Sequence, residues 1–269
     1  MKTRFISLAS GSSGNCYYLG TERYGILVDA GISVRAIRKT LRDVGITMES
    51  IRAVLITHDH TDHIKGVGGL GGRWGIPIYA TRRVHEGIGR SYCVSSKLPP
   101  TVARSLEKHE LLRIEDLEIE AFDVPHDGTD NVGYRIRVGQ DKVFTFLTDL
   151  GEITTEAASF ALQANYLIIE ANYDEEMLRT GRYPQYLKER IASRTGHLCN
   201  ATTARFLAEN FPSHLSHIWL CHLSRDNNHP ELARKTVEQA LRERGIAVGR
   251  DVQLYALART TPSPLYEFE

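Results

Sequence analysis

Four side chains that bind metal ions stand within six residues, in the run His58-Asp59-His60-Thr61-Asp62-His63. Residues two apart in an extended segment project to the same side, so His58 and His60 can hold one metal ion. Asp62 and His63 then turn into the next element. Imidazole and carboxylate groups suit zinc, manganese or iron, and neutral histidine binds such ions near pH 7. The run therefore predicts a metal site rather than a chance cluster of polar surface residues.

Three further candidate ligands, His126, Asp149 and His222, each come directly after an apolar run of β type. Side chains at strand ends converge on one rim of a sheet. Singly, the two histidines could be hydrogen-bonded loop residues and Asp149 a helix N-cap. Beside the H-x-H-x-D-H run, ligation is favoured, because two metal ions need about seven protein ligands with positions left open for water and substrate. His229 competes with His222, which is favoured because it follows the strand directly.

Apolar periodicity predicts the elements that must position these residues. Strands are expected at 3–8, 16–19, 25–28, 53–56, 76–80, 117–124, 132–138, 142–147, 166–170, 218–221 and 252–258. Helices are expected after a Ser33 N-cap, from 195 to 209 and from 231 to 244. The small polar run 10–15 predicts a turn, with an anion-binding loop as the alternative. Without a repeat or a linker, the pattern indicates one α/β domain over residues 1–269, with two similar β/α halves as the alternative arrangement.

Composition excludes several classes of protein. The chain has 269 residues, of which 42% are hydrophobic, and 33 basic residues balance 33 acidic ones. It is long enough to bury a sizeable core, and disorder and coiled coil are excluded.

No apolar run reaches the roughly 20 residues of a membrane span, and the N-terminus lacks a signal-peptide core, so no membrane partner and a cytoplasmic location are expected. The four cysteines form no C-x-x-C pair and are expected to be reduced. Zero net charge means that any nucleic-acid contact must be local.

The order of these residues resembles that of the metallo-β-lactamase-fold hydrolases, an αββα sandwich whose motifs run Asp, H-x-H-x-D-H, His, Asp, His. The matching positions here are Asp29, 58–63, His126, Asp149 and His222, and the resemblance spans residues 3–258. It implies two divalent metal ions, Zn, Mn or Fe. The first would be held by His58, His60 and His126, and the second by Asp62, His63 and His222, with Asp149 bridging. Asp29 is implied to support the H-x-H-x-D-H loop from behind.

Two motifs resemble the nucleic-acid branch of that family. The run 222–225 (His-Leu-Ser-Arg) resembles the H-[FL]-S-x-R of the tRNA 3′-processing and RNase J groups. The runs 170–173 and 196–201 resemble the E-A-T-[FY] and G-H-S-x-x motifs of phosphodiesterases.

An aspartate at position 149, where zinc-rich β-lactamases have cysteine, argues against antibiotic hydrolysis. The short spacings from His126 to Asp149 and on to His222 leave no room for a tRNA-clamping arm or an extra nuclease domain. The resemblance is thus to a compact bacterial branch regarded as 5′-exonucleases.

The implied function is a dinuclear metal-dependent phosphodiesterase, a 5′ exonuclease on DNA rather than RNA, in which a metal-bridging hydroxide attacks phosphorus. Asp62, Asp149 and His197 are the predicted catalytic residues, with His197 donating a proton to the departing oxygen. Phosphate contacts are predicted for Ser12, Asn15, Asn200 and Ser224, with simple turn capping as the alternative. One alternative function is a thioester or lactone hydrolase of the glyoxalase II or lactonase type. Another is a noncatalytic protein that keeps its metals for structure. The sequence predicts no oligomeric state.

Overall fold

The computed structural model describes residues 2–269, which fall into two compact units. The first unit comprises the chain up to Ala121 together with Gly128–Val132 and Ala258–Glu269. The second comprises Phe122–Asp127 and Gly133–Leu257. Both combine a sheet with helices, as the α/β prediction requires.

The sheet of the first unit places the end of one strand beside the H-x-H-x-D-H loop. Numbered in chain order, its strands are β1 (Thr3–Gly11), β2 (Gly14–Thr21), β3 (Gly25–Val28), β4 (Ile51–Leu55), β5 (Ile78–Ala80), β6 (Ala103–Ser105) and β14 (Tyr266–Phe268), in the order β14-β1-β2-β3-β4-β5-β6. Pairing is antiparallel from β14 to β3 and parallel from β3 to β6. Because β3 and β4 are parallel neighbours, the residues that follow them meet at one edge. A hairpin of β7 (Leu111–Ile114) and β8 (Leu117–Asp123) completes the strands that begin in this unit.

The helices of the first unit are short and pack on the apolar side chains of its sheet. They are α1 (Val34–Asp43), α2 (Thr61–Ile64), α3 (Val67–Trp74) and α4 (Arg82–Arg90), with a 3₁₀ turn at Met48–Ser50. The Ser33 hydroxyl accepts a hydrogen bond from Ala36 N at 3.2 Å, which confirms the predicted N-cap of α1. Ile37 and Leu41 lie one turn apart on α1 and are fully buried in the core of this unit.

The sheet of the second unit explains how its candidate residues converge. Its strands are β9 (Val132–Val138), β10 (Lys142–Leu147), β11 (Tyr166–Glu170), β12 (His217–Cys221) and β13 (Gln253–Ala256), and they lie in the order β13-β12-β11-β10-β9. Only β9 and β10 pair antiparallel, and β10 to β13 run parallel. The carboxyl ends of β10, β11 and β12 therefore share one edge. Asp149, Glu170 and His222 stand at or just beyond these ends.

The second unit carries five helices: α5 (Thr155–Ala161), α6 (Glu175–Thr180), α7 (Gln185–Ile191), α8 (Asn200–Glu209) and α9 (Pro230–Glu243). Ala204 and Leu207 of α8 and Val237 and Leu241 of α9 are buried in its core. No helix among residues 2–269 is both long and apolar enough to cross a membrane.

Most predicted elements are confirmed, and the differences have local causes. The helix expected from 195 begins instead at Asn200, because Cys199 is the N-cap and its Sγ accepts from Thr202 N at 3.3 Å. The turn predicted within 10–15 is confirmed but narrower, since Ser10 and Asn15 still pair across β1 and β2. The short strands β6, β7 and β14 were not predicted, because none of them has a sustained apolar alternation.

Candidate metal centre

Asp29 joins the end of β3 to the H-x-H-x-D-H loop. Its carboxylate is fully buried and accepts hydrogen bonds from Thr57 N at 2.9 Å and from Thr57 Oγ1 at 3.0 Å. Its Oδ2 lies 2.7 Å from His63 Nδ1. Burial raises the pKa of the Asp29 carboxyl, although His63 and Thr57 oppose that rise. Asp29 also has a φ of 59°, a left-handed conformation that is uncommon outside glycine and that surrounding contacts must maintain.

The first ligand cluster consists of His58, His60, Asp62 and His63, all in the first unit. The His58 ring centroid lies 4.0 Å from that of His63 and 4.6 Å from that of His60. Asp62 Oδ2 is 3.6 Å from His63 Nε2. Because the Asp29 carboxylate accepts from Nδ1, His63 carries its hydrogen on Nδ1, and Nε2 has the lone pair that accepts from the Asn15 amide at 2.9 Å. The structure thus brings these four predicted ligands together.

Asn15 borders the first ligand cluster. Its amide nitrogen lies 3.2 Å from Asp62 Oδ2 and 2.9 Å from His63 Nε2, and the side chain is buried. Ser12, in contrast, is exposed in the two-residue turn between β1 and β2. Contact of either residue with phosphate stays a prediction.

The second ligand cluster consists of Asp149, Glu170, His197 and His222, all in the second unit. One ligand atom from each lies within 4.8 Å of those of the others. His222 Nδ1 is 2.9 Å from both Asp149 Oδ1 and Glu170 Oε1. His222 has a φ of 51°, and Asn172 Nδ2 donates to its carbonyl oxygen at 2.7 Å. Asn172 was missed as a candidate, although it lies within the 170–173 run whose motif the sequence shows.

His126 is held beside this cluster. Its Nδ1 donates to Gly196 O at 2.9 Å, and its ring centroid is 5.0 Å from that of His197. Since a carbonyl oxygen only accepts, the hydrogen sits on Nδ1 and the lone pair on Nε2, which lies 3.9 Å from Asp149 Oδ1. This is the tautomer that metal ligation through Nε2 requires.

Glu170 is the main residue that the sequence-based set of site residues omits. It is fully buried, and its Oε1 lies 2.7 Å from His197 Nδ1. Its Oε2 accepts from Leu198 N at 3.0 Å and from Leu150 N at 3.2 Å. Burial acts to raise the pKa of this carboxyl, but His197 and the hydrogen bond to His222 outweigh it, and the pKa is lowered. Two features of the sequence could have identified Glu170: it ends an apolar strand, and it is the first residue of the 170–173 run.

The remaining predicted residues lie at the start of α8 and in the segment between β12 and α9. Asn200 is buried, and its side-chain amide exchanges hydrogen bonds of 3.0 and 2.9 Å with that of Asn228. Ser224 N donates to Asn172 O at 2.7 Å, and its hydroxyl accepts from Asn227 N at 3.3 Å. Substrate contact by Asn200 and Ser224 stays a prediction. His229 is exposed and caps α9, where its Nδ1 accepts from Glu231 N, so the local structure favours His222 as the candidate ligand.

The chemistry of both clusters fits divalent metal ions. Imidazole nitrogens and carboxylate oxygens are the donors, the combination that zinc, manganese and iron accept. In the second cluster two buried carboxylates, Asp149 and Glu170, face the same histidine. Adjacent buried carboxylates are unfavourable without a compensating positive charge, which a bound cation provides.

A family model described as the beta-lactamase superfamily domain matches residues 24–218. The chain belongs to the beta-lactamase superfamily. Among its relatives in the superfamily, exodeoxyribonuclease YycJ of Bacillus anthracis is 35% identical over 95% of each chain. Exodeoxyribonuclease WalJ of Streptococcus pneumoniae is 37% identical over 98% of this chain and 97% of its own. The predicted resemblance to a compact bacterial exonuclease branch is confirmed.

The solved structures show the superfamily fold. The metallo-β-lactamase fold protein YhfI from Bacillus subtilis matches over 100% of both chains with a TM-score of 0.71 and 17% identity. The prediction of an α/β metallo-β-lactamase-type fold is thereby confirmed. Membership of the superfamily and the exodeoxyribonuclease relatives make this chain a metal-dependent hydrolase.

Proposed function

We propose that the protein is a two-metal phosphodiesterase that acts as a 5′ exonuclease on DNA in the cytoplasm. The observation that carries the proposal is the buried Glu170 carboxylate, 2.7 Å from His197 Nδ1 and 2.9 Å from His222 Nδ1. Through this contact Glu170 fixes the orientation of the His197 imidazole, which is a functional group in addition to the seven predicted ligands. Relatives of nearly equal length named exodeoxyribonucleases support DNA as the substrate.

We assign the metal ligands by the order of the motifs in the superfamily. His58, His60 and His126 would hold one ion, and Asp62, His63 and His222 the other, with Asp149 shared. The bound ions would supply the hydroxide nucleophile at neutral pH and neutralise charge on the phosphate. Asp29, through His63 Nδ1, keeps the ligand nitrogen of that ring deprotonated and fixes its orientation.

His197 is proposed to donate a proton to the departing oxygen. Glu170 accepts the Nδ1 hydrogen, which stabilises the protonated ring and leaves Nε2–H as the group that can be donated. The His197 side chain is 20% exposed, whereas Glu170 is fully buried, so the histidine rather than the carboxylate is within reach of a substrate. Ser12, Asn15, Asn200 and Ser224 are proposed to contact phosphate oxygens.

Turnover of end-labelled DNA tests this proposal. Single- and double-stranded DNA, with and without a 5′ phosphate, would be incubated with protein loaded with Mn or Zn. We expect mononucleotides from the 5′ end, lost in Asp149→Ala and kept in Asp141→Ala, which removes an exposed carboxylate from the turn between β9 and β10.

Two results would overturn the proposal. One is a folded, metal-loaded protein that leaves DNA and RNA intact but hydrolyses an acyl thioester or a lactone. The other is faster cleavage of RNA than of DNA of the same sequence, which would reject the substrate assignment.

A further inference from the structure

A groove of about 360 Å³ lies between α1 and α3 of the first unit. Its lining residues are Val34, Arg35, Arg38, Gly69, Arg73 and Trp74. The helices approach closely where they begin, since a Cβ on Gly69 would lie 2.8 Å from Val34 Cγ2. The side chain of Trp74 is partly buried against the core and forms an aromatic wall.

The groove concentrates positive charge in a protein whose formal net charge is zero. Arg35, Arg38 and Arg73 are exposed, and no aspartate or glutamate is among the lining residues. Within residues 2–269, no carboxylate lies within 4.0 Å of these three guanidinium groups. Many other exposed arginines are paired, such as Arg194 with Glu152 at 2.8 Å. Guanidinium groups without a neighbouring carboxylate can bind phosphates, and the adjacent indole can stack on a base. Together they favour a ligand that carries both phosphates and bases.

The segments that precede both helices of the groove lie beside α2, which carries Asp62. The backbone at Gly31, just before α1, packs so closely that a Cβ there would lie 1.5 Å from Asp62 O. Gly66 N, just before α3, donates to Ala30 O at 2.7 Å. The backbone before α1 therefore packs against both Asp62 of the first ligand cluster and the backbone before α3.

We propose that the α1–α3 groove binds a single strand of DNA next to the first ligand cluster. Arg35, Arg38 and Arg73 contact its phosphates, and a base packs on Trp74. Single-stranded DNA is the occupant because its bases are accessible to an aromatic side chain, whereas those of a duplex are stacked within it. The inference rests on the proposed function for the identity of the strand and adds the surface that retains it.

Fluorescence anisotropy of metal-loaded protein tests the groove with a phosphorothioate single strand of about 12 nucleotides, which resists hydrolysis. Arg35→Gln/Arg38→Gln removes two charges from the groove, and Lys39→Gln/Arg42→Gln removes two from the same helix outside it. We expect the groove variant to raise Kd about tenfold or more. Its plot of log Kd against log salt should be shallower by about 1.4, as for two lost phosphate contacts. The control variant should remain within about twofold of the wild type.

Trp74 supplies an independent readout. Trp74→Leu is expected to weaken binding of the single strand, and Trp74→Phe to restore most of it, because a ring can still stack. Equal behaviour of the two double variants, or equal affinity for duplex and single strand, would overturn the inference. Failure of the proposed function is seen separately, as the absence of wild-type turnover on any phosphodiester, because the binding assay requires no cleavage.

Discussion

Asp29 Oδ2 lies 2.7 Å from His63 Nδ1, inside the first unit and fully shielded from solvent. The same carboxylate accepts the backbone and side-chain hydrogen bonds of Thr57, the residue directly before His58. One buried group thus fixes both ends of the H-x-H-x-D-H loop. The positive φ of Asp29 shows that the backbone is held in an uncommon conformation to allow this.

Replacing Asp29 should weaken metal binding more than it weakens folding. Asparagine tolerates left-handed φ values, so Asp29→Asn keeps the turn and the bond from Thr57 N but removes the charge facing His63. We expect metal affinity, measured by competition with a chelator, to fall about 10–100-fold. Unchanged affinity in Asp29→Asn would mean that His63 does not need this carboxylate to bind a metal.

His197→Ala should lower kcat for DNA cleavage by about 10²–10⁴-fold while metal content stays normal. Glu170→Gln should lower kcat in the same direction, and the double variant should be far less than additive, because the two residues act as a pair. His229→Ala is the matched histidine control, with no expected change in metal content or kcat. Near-normal turnover in metal-replete His197→Ala would remove this residue from the mechanism.

Two glycines of α4 provide a matched stability test. A Cβ on Gly87 would lie 1.9 Å from Asp59 Oδ2, and Thr129 N and Oγ1 both donate to that carboxylate. A Cβ on Gly89 would meet nothing within 4 Å. We expect Gly89→Ala to stabilise the helix by up to about 1 kcal/mol. Gly87→Ala should destabilise the protein by about 1–3 kcal/mol in urea unfolding. Equal effects would show that α4 does not pack tightly on Asp59.

His217 should make stability depend on pH. Burial lowers its pKa from the usual 6.5, and its ring centroid lies 5.4 Å from Trp219 and 5.5 Å from Tyr166. The unfolded chain therefore takes up the proton more readily. The stabilising contribution of neutral His217 is complete above the pKa that this histidine has in the unfolded chain. It is lost as the pH falls below that pKa. Between about pH 7.5 and pH 5.5, wild-type protein should lose more unfolding free energy than His217→Gln. Equal losses would contradict this assignment.

The sequence predicted the parts of the fold and the candidate site that depend on local patterns. Apolar runs located the strands that end before His58, Asp149 and His222, because buried strands have a distinct composition. The Ser33 cap followed from residue type and position. In each case the information lies within a few neighbouring residues.

Features that depend on residues distant in the chain could not be predicted from such patterns. Glu170 and His197 are 27 positions apart and meet only after β11 and the loop before α8 are both in place. The buried hydrogen-bonded pair of Asn200 and Asn228 is another example, because these residues are 28 positions apart and nothing in the sequence links them. The left-handed conformation of Asp29 likewise depends on its contacts with Thr57 and His63. The sequence did not predict it, because the residue at this position is neither glycine nor asparagine.

The two-metal mechanism is tested by titrating metal into metal-free protein and measuring bound metal and DNA cleavage on the same samples. We expect two ions per chain and cleavage that rises as the second ion binds, with both features lost in Asp149→Ala. Full activity at one ion per chain, or two bound ions with no cleavage of DNA, would contradict the mechanism.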